Sequence, residues 1–208
     1  MSTARRIDPL DPSQWPPETR ALLEGISGSV AEIEGDQASY ESEGDASGTL
    51  NILRTIAHHP ALLGPFLGFA GALSLGGVVS RRDHELLALR AIWHCQSAFE
   101  WGHHVVFAKA AGLSDEEIAR VPAGPERPGW SEADRLLLRA ADELHAGHDL
   151  SPDTWSALRR TCSDAQLVEI PFIVGQYTML SMVANATGVP VEGGLEPLPE
   201  AGPAQGSP

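Results

Sequence analysis

The chain has 208 residues, of which 42% are hydrophobic and 20% charged, enough for one globular domain with a substantial core. Its formal net charge of −14 disfavours binding to nucleic acid and to anionic membrane surfaces, because both require a basic patch. Its two cysteines do not make a disulfide framework, and its first residues contain no apolar run typical of a secretory signal. We therefore expect a protein of the reducing cytoplasm.

The pattern along the chain is helical, and no alternating strand pattern of convincing length occurs. Residues 1–15 and 190–208 are rich in proline and glycine, which predicts an N-terminal arm and a flexible C-terminal tail. Between them we predict a helical domain over 16–189, with an acidic, solvated loop at 32–48. The predicted fold class is therefore an all-α, single-domain helical bundle.

Proline and capping residues mark where the helices begin. The first helix is predicted from Pro16-Pro17, a short one over Asn51 to Ala57, and a long one over Arg81 to Ala111. The last helix is predicted over Asp164 to Thr187. Three shorter helices are predicted to follow serine caps, at Ser114, Ser131 and Ser151.

The segment 61–79 is uncharged and almost long enough to cross a bilayer. It also contains Pro65 and five glycines, and glycine is a poor helix former in water. We therefore expect a buried helical hairpin or a subunit contact here, and no membrane contact.

Residues 94–104, HCQSAFEWGHH, concentrate the side chains that can do chemistry. Residues three, four or seven positions apart share one face of a helix, which groups Ser97, Glu100, His103 and His104. The same geometry places Cys95 about 140° away around the helix axis. A carboxylate beside imidazoles in apolar surroundings can move protons, and loss of CO2 from a carbon acid requires such a proton transfer.

Two other hypotheses compete for this segment. Ser97 and Glu100 fit a capping box, in which both side chains only satisfy backbone N–H groups at a helix start. A dithiol redox site would instead use Cys95, but it needs a second thiol in reach, usually in a Cys-x-x-Cys motif, and this motif is absent.

A metal site is the third hypothesis. Glu100 and His103 have the Glu-x-x-His spacing of di-iron bundles, which need a second such pair and two further carboxylates. The nearest second pair is Asp142 with His145, and a glycine two residues later suggests a helix end there instead. We therefore expect no metal ion and no cofactor.

Four segments resemble the carboxymuconolactone decarboxylase and alkyl hydroperoxidase D superfamily. They are NILRTIAHHPALL, SRRDHELLALRAIW, FEWGHHVVFAKAAGLSDEEI and VGQYTMLSMVANATGV, at residues 51–63, 80–93, 99–118 and 174–189. The Glu-Trp-x-x-His element followed by Ala-x-x-x-Gly-Leu is fairly specific. The resemblance implies an all-α fold and a homo-oligomer, a trimer or hexamer, assembled around shared helices.

The resemblance also shows where this chain departs from the peroxidase branch. In that branch a glutamate precedes a Cys-x-x-Cys motif, and a histidine follows the second cysteine. These positions fall here on Glu85, Ser97, Glu100 and His104, so both thiols are absent. The chain is more similar to the decarboxylase-like branch, which implies a cofactor-independent decarboxylase or isomerase of a small carboxylated lactone or related enolisable acid.

These residues receive expected roles on that basis. His104, assisted by His103, would move the proton, and Glu100 would orient the imidazole or act as partner base. Glu85 would contribute from the preceding helix, and Ser97 would donate a hydrogen bond to an oxyanion. The residues expected to contact the substrate are Trp93, Trp101, Phe107 and Tyr177. A hydroperoxide reductase that uses the thiol of Cys95 and a non-catalytic accessory oligomer are the alternatives.

Overall fold

A computed structural model describes residues 4–24 and 50–200 of the chain. The predicted acidic loop at 32–48 lies outside these ranges. Helices joined by short loops make up the described residues, which contain no β-strand, so the all-α prediction is confirmed.

Short loops connect most of the consecutive helices from Asn51 onwards. The bounds of the helices are α1 (17–24), α2 (Asn51–Ile56), α3 (Pro60–Ser74), α4 (Arg81–Cys95), α5 (Ala98–Ala110), α6 (Asp115–Arg120), α7 (Glu132–Gly147), α8 (Pro152–Leu158) and α9 (Asp164–Thr187). Single turns of 3₁₀ helix lie at Pro12–Gln14 and Val121–Ala123.

Serine caps begin the later helices as predicted. Ser114, Ser131 and Ser151 each accept a hydrogen bond from the backbone N–H three residues further on, at the starts of α6, α7 and α8. Ser163 does the same for α9, and the backbone N–H of Ser163 in turn donates to Oε1 of Gln166. These bonds satisfy N–H groups that a helix start leaves without a partner, which explains why the helices begin there.

The long helix predicted over Arg81 to Ala111 is two helices, α4 and α5. Gln96 has a left-handed backbone conformation, with φ of 51°, and ends α4. Ser97 then begins α5 by accepting a hydrogen bond from the Glu100 N–H at 3.5 Å. Because α5 packs back against α4, side chains from both helices meet in the space between them.

Helix α4 lies at the centre of the domain and packs against α5, α7 and α9. Four of its large apolar side chains are completely buried, namely Leu86, Leu87, Leu89 and Ile92. Arg90 ties it to α7, since its guanidinium donates to both carboxylate oxygens of Asp142. This central position fixes the backbone that carries the candidate site.

Residues 61–79 form one helix and a loop rather than the predicted hairpin. Helix α3 ends at Ser74, and Leu63 is its buried residue. Phe66 and Leu67 are partly buried and pack against the core. Among the helices described, α9 is the one that is long and apolar enough to cross a bilayer, and 56% of that stretch is buried inside the protein.

The predicted C-terminal tail is packed on the domain over its first residues. Glu192 is only 4% exposed, and Glu196 forms an ion pair with Lys109 of α5. Gly102 makes this packing possible, because a Cβ atom there would lie 2.9 Å from the Cβ atom of Leu195. Residues 190–200 therefore belong to the folded domain, in contrast to the flexible tail that their composition predicted.

Candidate active site

A cavity of about 320 Å³ lies between α2, α3, α4, α5 and α9. Most of its wall is apolar and includes Ile52, Leu53, Phe66, Leu67, Phe99, Phe107 and Leu180. Its polar residues come from α3, α4, α5 and α9 and are Ser74, Arg81, Glu85, Glu100, His103, His104, Gln176 and Tyr177. An apolar cavity of this size with a few converging polar groups is typical of a site for a small molecule.

His104 lies between two carboxyl groups on the wall of this cavity. Its Nδ1 is 2.7 Å from Oε2 of Glu85, and its Nε2 is 3.9 Å from Oε2 of Glu100. All three side chains are buried. Because a hydrogen bond at one ring nitrogen fixes the histidine tautomer, Glu85 holds the proton on Nδ1 and leaves Nε2 on the side of Glu100.

The surroundings of this trio favour a proton on both Glu100 and His104. Burial raises the pKa of Glu100 above its ordinary value, although the two nearby histidines oppose the shift. Burial lowers the pKa of His104, but the charges of Glu85 and Glu100 and the hydrogen bond to Glu85 outweigh it and raise that pKa overall. Oε1 of Glu100 is buried and has no hydrogen-bond partner among residues 4–24 and 50–200. Both shifts favour the protonated forms, which are an imidazolium at His104 and a neutral carboxyl group at Glu100.

The raised pKa of Glu100 predicts that stability falls as the pH rises. Above the ordinary value of 4.5 the unfolded chain releases a proton that the folded chain still binds, so the free energy of unfolding decreases up to the folded-state pKa. Glu100→Gln should therefore be more stable than the native protein at neutral pH, by on the order of 1 kcal/mol. Denaturant titrations across this pH range measure the effect.

The matched control is Glu116→Gln, which changes an exposed carboxylate on α6. Its stability should follow that of the native protein at every pH. Identical pH profiles for the native protein and Glu100→Gln would contradict a protonated, buried Glu100.

His103 is held by a residue that the sequence did not reveal. Its Nε2 is 2.7 Å from Oε2 of Glu192, and both side chains are buried. The other oxygen of Glu192 accepts a hydrogen bond from the Asn51 N–H at 2.8 Å, at the start of α2. Glu192 thus ties α5 to α2. It lies in a proline- and glycine-rich stretch without periodicity, so no sequence pattern pointed to it.

Ser97 and the two tryptophans lie outside the cavity wall. Ser97 caps α5, and its own N–H donates to the backbone oxygen of Ile92, so the Glu100 side chain takes no part in the cap. Trp93 and Trp101 pack against each other with ring centroids 6.1 Å apart. Of the four residues expected to contact substrate, Phe107 and Tyr177 line the cavity.

Neither cysteine lines the cavity. Cys95 lies at the end of α4, half-buried, and burial raises the pKa of its thiol. A reactive thiol requires the opposite shift, because the thiolate is the nucleophile. Cys162 follows α8, and both cysteines are free.

The side chains considered for a metal site have other partners. Asp142 accepts hydrogen bonds from Arg90 and lies 2.6 Å from Nε2 of His94, and His145 stacks on His94. In the described part of the chain, no group of three or more His, Cys, Asp or Glu side chains is arranged to hold a metal ion.

Ser74 of α3 lines the cavity and was not predicted. Two further polar residues on the cavity wall were also missed. Arg81 is the first residue of α4, and it forms no ion pair with another residue of the described ranges. Gln176 lies on α9 beside Tyr177, and it is buried. Neither belongs to a local motif, and only the packing of α9 and α4 brings them to the same cavity.

The sequence matches the model of the carboxymuconolactone decarboxylase family over residues 60–143. This range extends from α3 into α7 and contains Glu85, Glu100 and both cavity histidines. A search of curated proteins gave no match.

Solved structures share the fold over most of the chain. A peroxidase-related protein from Silicibacter sp. TM1040 is 16% identical, with a TM-score of 0.72 over 93% of this chain and 96% of its own. A peroxidase-related protein with an alkylhydroperoxidase AhpD core, from Ralstonia eutropha JMP134, is 18% identical. Its TM-score is 0.68, over 89% of this chain and 91% of its own.

A third structure is that of the debrominase Bmp8, solved as a cysteine-to-alanine variant in complex with 2,3,4-tribromopyrrole. It is 16% identical to this chain, with a TM-score of 0.69 over 93% of this chain and 95% of its own. At such identities these likenesses establish the fold. Together with the match of residues 60–143 to the family model, they support a relationship to the carboxymuconolactone decarboxylase and alkyl hydroperoxidase D-like superfamily.

Proposed function

We propose that this protein is a cofactor-independent acid/base enzyme of the decarboxylase-like branch, acting on a small carboxylated lactone or a related enolisable acid. The observation that carries the proposal is the buried carboxyl group of Glu100. It lies on the wall of an apolar cavity, 3.9 Å from the imidazole of His104 that Glu85 holds. A protonated acid beside an oriented imidazolium is suited to deliver a proton to carbon.

In a decarboxylation, the bond between the substrate carboxylate and its carbon breaks and CO2 leaves. The bonding electron pair moves into the adjacent carbonyl group and forms an enolate, which the positive charge of His104 stabilises. Nε2 of His104 then gives its proton to the carbon, and the Glu100 carboxyl group returns a proton to Nε2. Solvent then protonates Glu100 again, so one proton is consumed for each CO2 released. In an isomerisation, the neutral form of the same imidazole, with no proton on Nε2, would take a proton from one carbon and return it to another.

The charges on the cavity wall support a carboxylated substrate. The pair of His104 and Glu85 is neutral overall, and a protonated Glu100 adds no charge. Arg81 then contributes a positive charge that no ion pair with a described residue offsets. Such a guanidinium is suited to bind a carboxylate, while the apolar side chains of α2 and α3 suit a small ring.

The thiol-dependent alternative has less support. Cys95 lies outside the cavity wall, and its pKa is shifted away from the thiolate form. A non-catalytic role leaves unexplained why an acid is buried against an oriented imidazole, which is costly unless the site uses it.

The direct experiment is a substrate screen in D2O with the purified protein. Carboxylated lactones and enolisable acids are incubated, and CO2 release and carbon deuteration are followed by NMR. Decarboxylation predicts CO2 together with one deuterium on the product carbon, and isomerisation predicts deuterium without CO2. Turnover that requires a hydroperoxide and a thiol reductant would contradict the proposal.

We also propose that α9 packs against a second copy of the chain in a trimer or hexamer. Its exposed face is apolar and includes Val168, Phe172, Met179 and Met182, which are 42–63% exposed. An apolar patch of this kind on a folded protein marks a contact surface. The native protein should sediment as the oligomer, and Met182→Lys should shift it to the monomer. Ala119→Lys, on exposed α6, is the control, and a monomeric native protein would contradict the contact.

A further inference from the structure

Ser97, the residue expected to donate a hydrogen bond to an oxyanion, caps α5 and does not reach the cavity. The chemistry proposed above forms an enolate, whose oxygen is stabilised by a fixed hydrogen-bond donor. Tyr177 lies on the cavity wall and is 4% exposed. Its ring meets that of His104 edge to face, with centroids 4.3 Å apart, so it shares the wall that carries the imidazole.

Within residues 4–24 and 50–200, the Tyr177 hydroxyl has one hydrogen-bond partner. Its oxygen is 2.8 Å from Nε2 of His84, and the two rings lie edge to face. His84 and Glu85 are consecutive on α4, and they bind Tyr177 and His104 respectively. One turn of α4 therefore positions both groups, which fixes the Tyr177 hydroxyl relative to the His104 imidazole.

The 2.8 Å contact with Tyr177 fits a His84 ring that carries its proton on Nε2. His84 also lines a second cavity of about 110 Å³, which is large enough to hold water. With a proton on Nε2, the neutral ring donates from Nε2 and accepts at Nδ1. Burial lowers the pKa of His84, in agreement with a neutral ring.

We propose that Tyr177 is the oxyanion donor of this site and that His84 is its positioning residue. The N–H at Nε2 of His84 donates to the Tyr177 oxygen, which leaves the phenolic O–H to donate to the enolate oxygen. No proton is transferred in this step, and the hydrogen bond from His84 makes the phenol a stronger donor. The inference rests on the proposed function, because it names the group that stabilises the enolate.

The test uses 4-nitrophenolate as an oxyanion mimic and nitrobenzene as its neutral analogue, so it requires no turnover. The affinity for 4-nitrophenolate divided by that for nitrobenzene is the measured ratio. We expect this ratio to fall about tenfold to a hundredfold in Tyr177→Phe, because a hydrogen bond to a charged oxygen is lost. His84→Gln, which keeps an N–H donor, should retain most of the ratio, and His84→Leu should lower it. His145→Leu, outside both cavities, should leave it unchanged.

Other outcomes would overturn the inference. An unchanged ratio in Tyr177→Phe would show that the hydroxyl does not contact the oxyanion. A higher ratio in His84→Leu would show that the native Tyr177 hydroxyl donates to His84 instead, as would a 15N NMR spectrum with the proton on Nδ1. A failed substrate screen together with the expected ratios would reject the proposed reaction and leave the oxyanion site in place.

Discussion

Glu100→Gln and His104→Ala should each lower kcat about a thousandfold while the protein stays folded. Glutamine keeps the shape of Glu100 but has no proton to give, and alanine removes the imidazole that Glu85 orients. Both losses should appear mainly in kcat, because the transferred proton stabilises the transition state more than bound substrate. Initial rates of CO2 release or carbon deuteration measure them, with circular dichroism as the check on folding.

Two further variants make this comparison specific. Glu85→Gln should have a smaller effect, about tenfold to a hundredfold, because the amide can still orient His104 but cannot stabilise its charge. Glu116→Gln removes a carboxylate from an exposed position on α6 and should be as active as the native protein. Native rates in Glu100→Gln or in His104→Ala would exclude that residue from proton transfer.

Glu192→Ala should lower the free energy of unfolding by about 3 kcal/mol. The substitution leaves the buried His103 without its carboxylate partner and removes the acceptor for the first N–H of α2. A buried polar group that loses its partner costs far more than an exposed ion pair. Denaturant unfolding at neutral pH measures the difference.

Glu196→Ala is the matched comparison, since Glu196 lies in the same segment and pairs with Lys109 at an exposed position. Its loss should be below about 1 kcal/mol. Equal losses in the two variants would show that Glu192 does not tie the C-terminal segment to the domain.

The sequence predicted the parts of the fold that depend on neighbouring residues. Each serine cap is a local bond between a side chain and a nearby N–H, so Ser114, Ser131 and Ser151 marked their helices correctly. The pairing of Glu100 with His104 depends only on a spacing of four residues on α5. It therefore holds although the predicted long helix breaks at Gln96.

The parts that were missed depend on residues far apart in the chain. His103 meets Glu192 89 residues later, and His84 meets Tyr177 93 residues later, so no local pattern connects either pair. Trp93 and Trp101 were expected in the cavity because they flank the site residues. They are on the sides of α4 and α5 that meet each other, and they pack together away from the cavity wall.

The residue that ends α4 gave no signal in the sequence, because a left-handed residue that ends a helix is usually glycine or asparagine. Here Gln96 takes that conformation. The capping pattern at Ser97 was the one local sign that a new helix starts there. The helical pattern continues across the break, since α4 and α5 both bury apolar residues against the same core.

The most direct test asks whether the reaction depends on the acid at Glu100 or on a thiol. It compares the double variant Cys95→Ser/Cys162→Ser with Glu100→Gln in the same assay of CO2 release and carbon deuteration in D2O. We expect the thiol-free protein to keep the native rate and Glu100→Gln to lose it. The reverse result, with activity lost in the thiol-free protein and kept in Glu100→Gln, would contradict an acid/base site at Glu100 and His104.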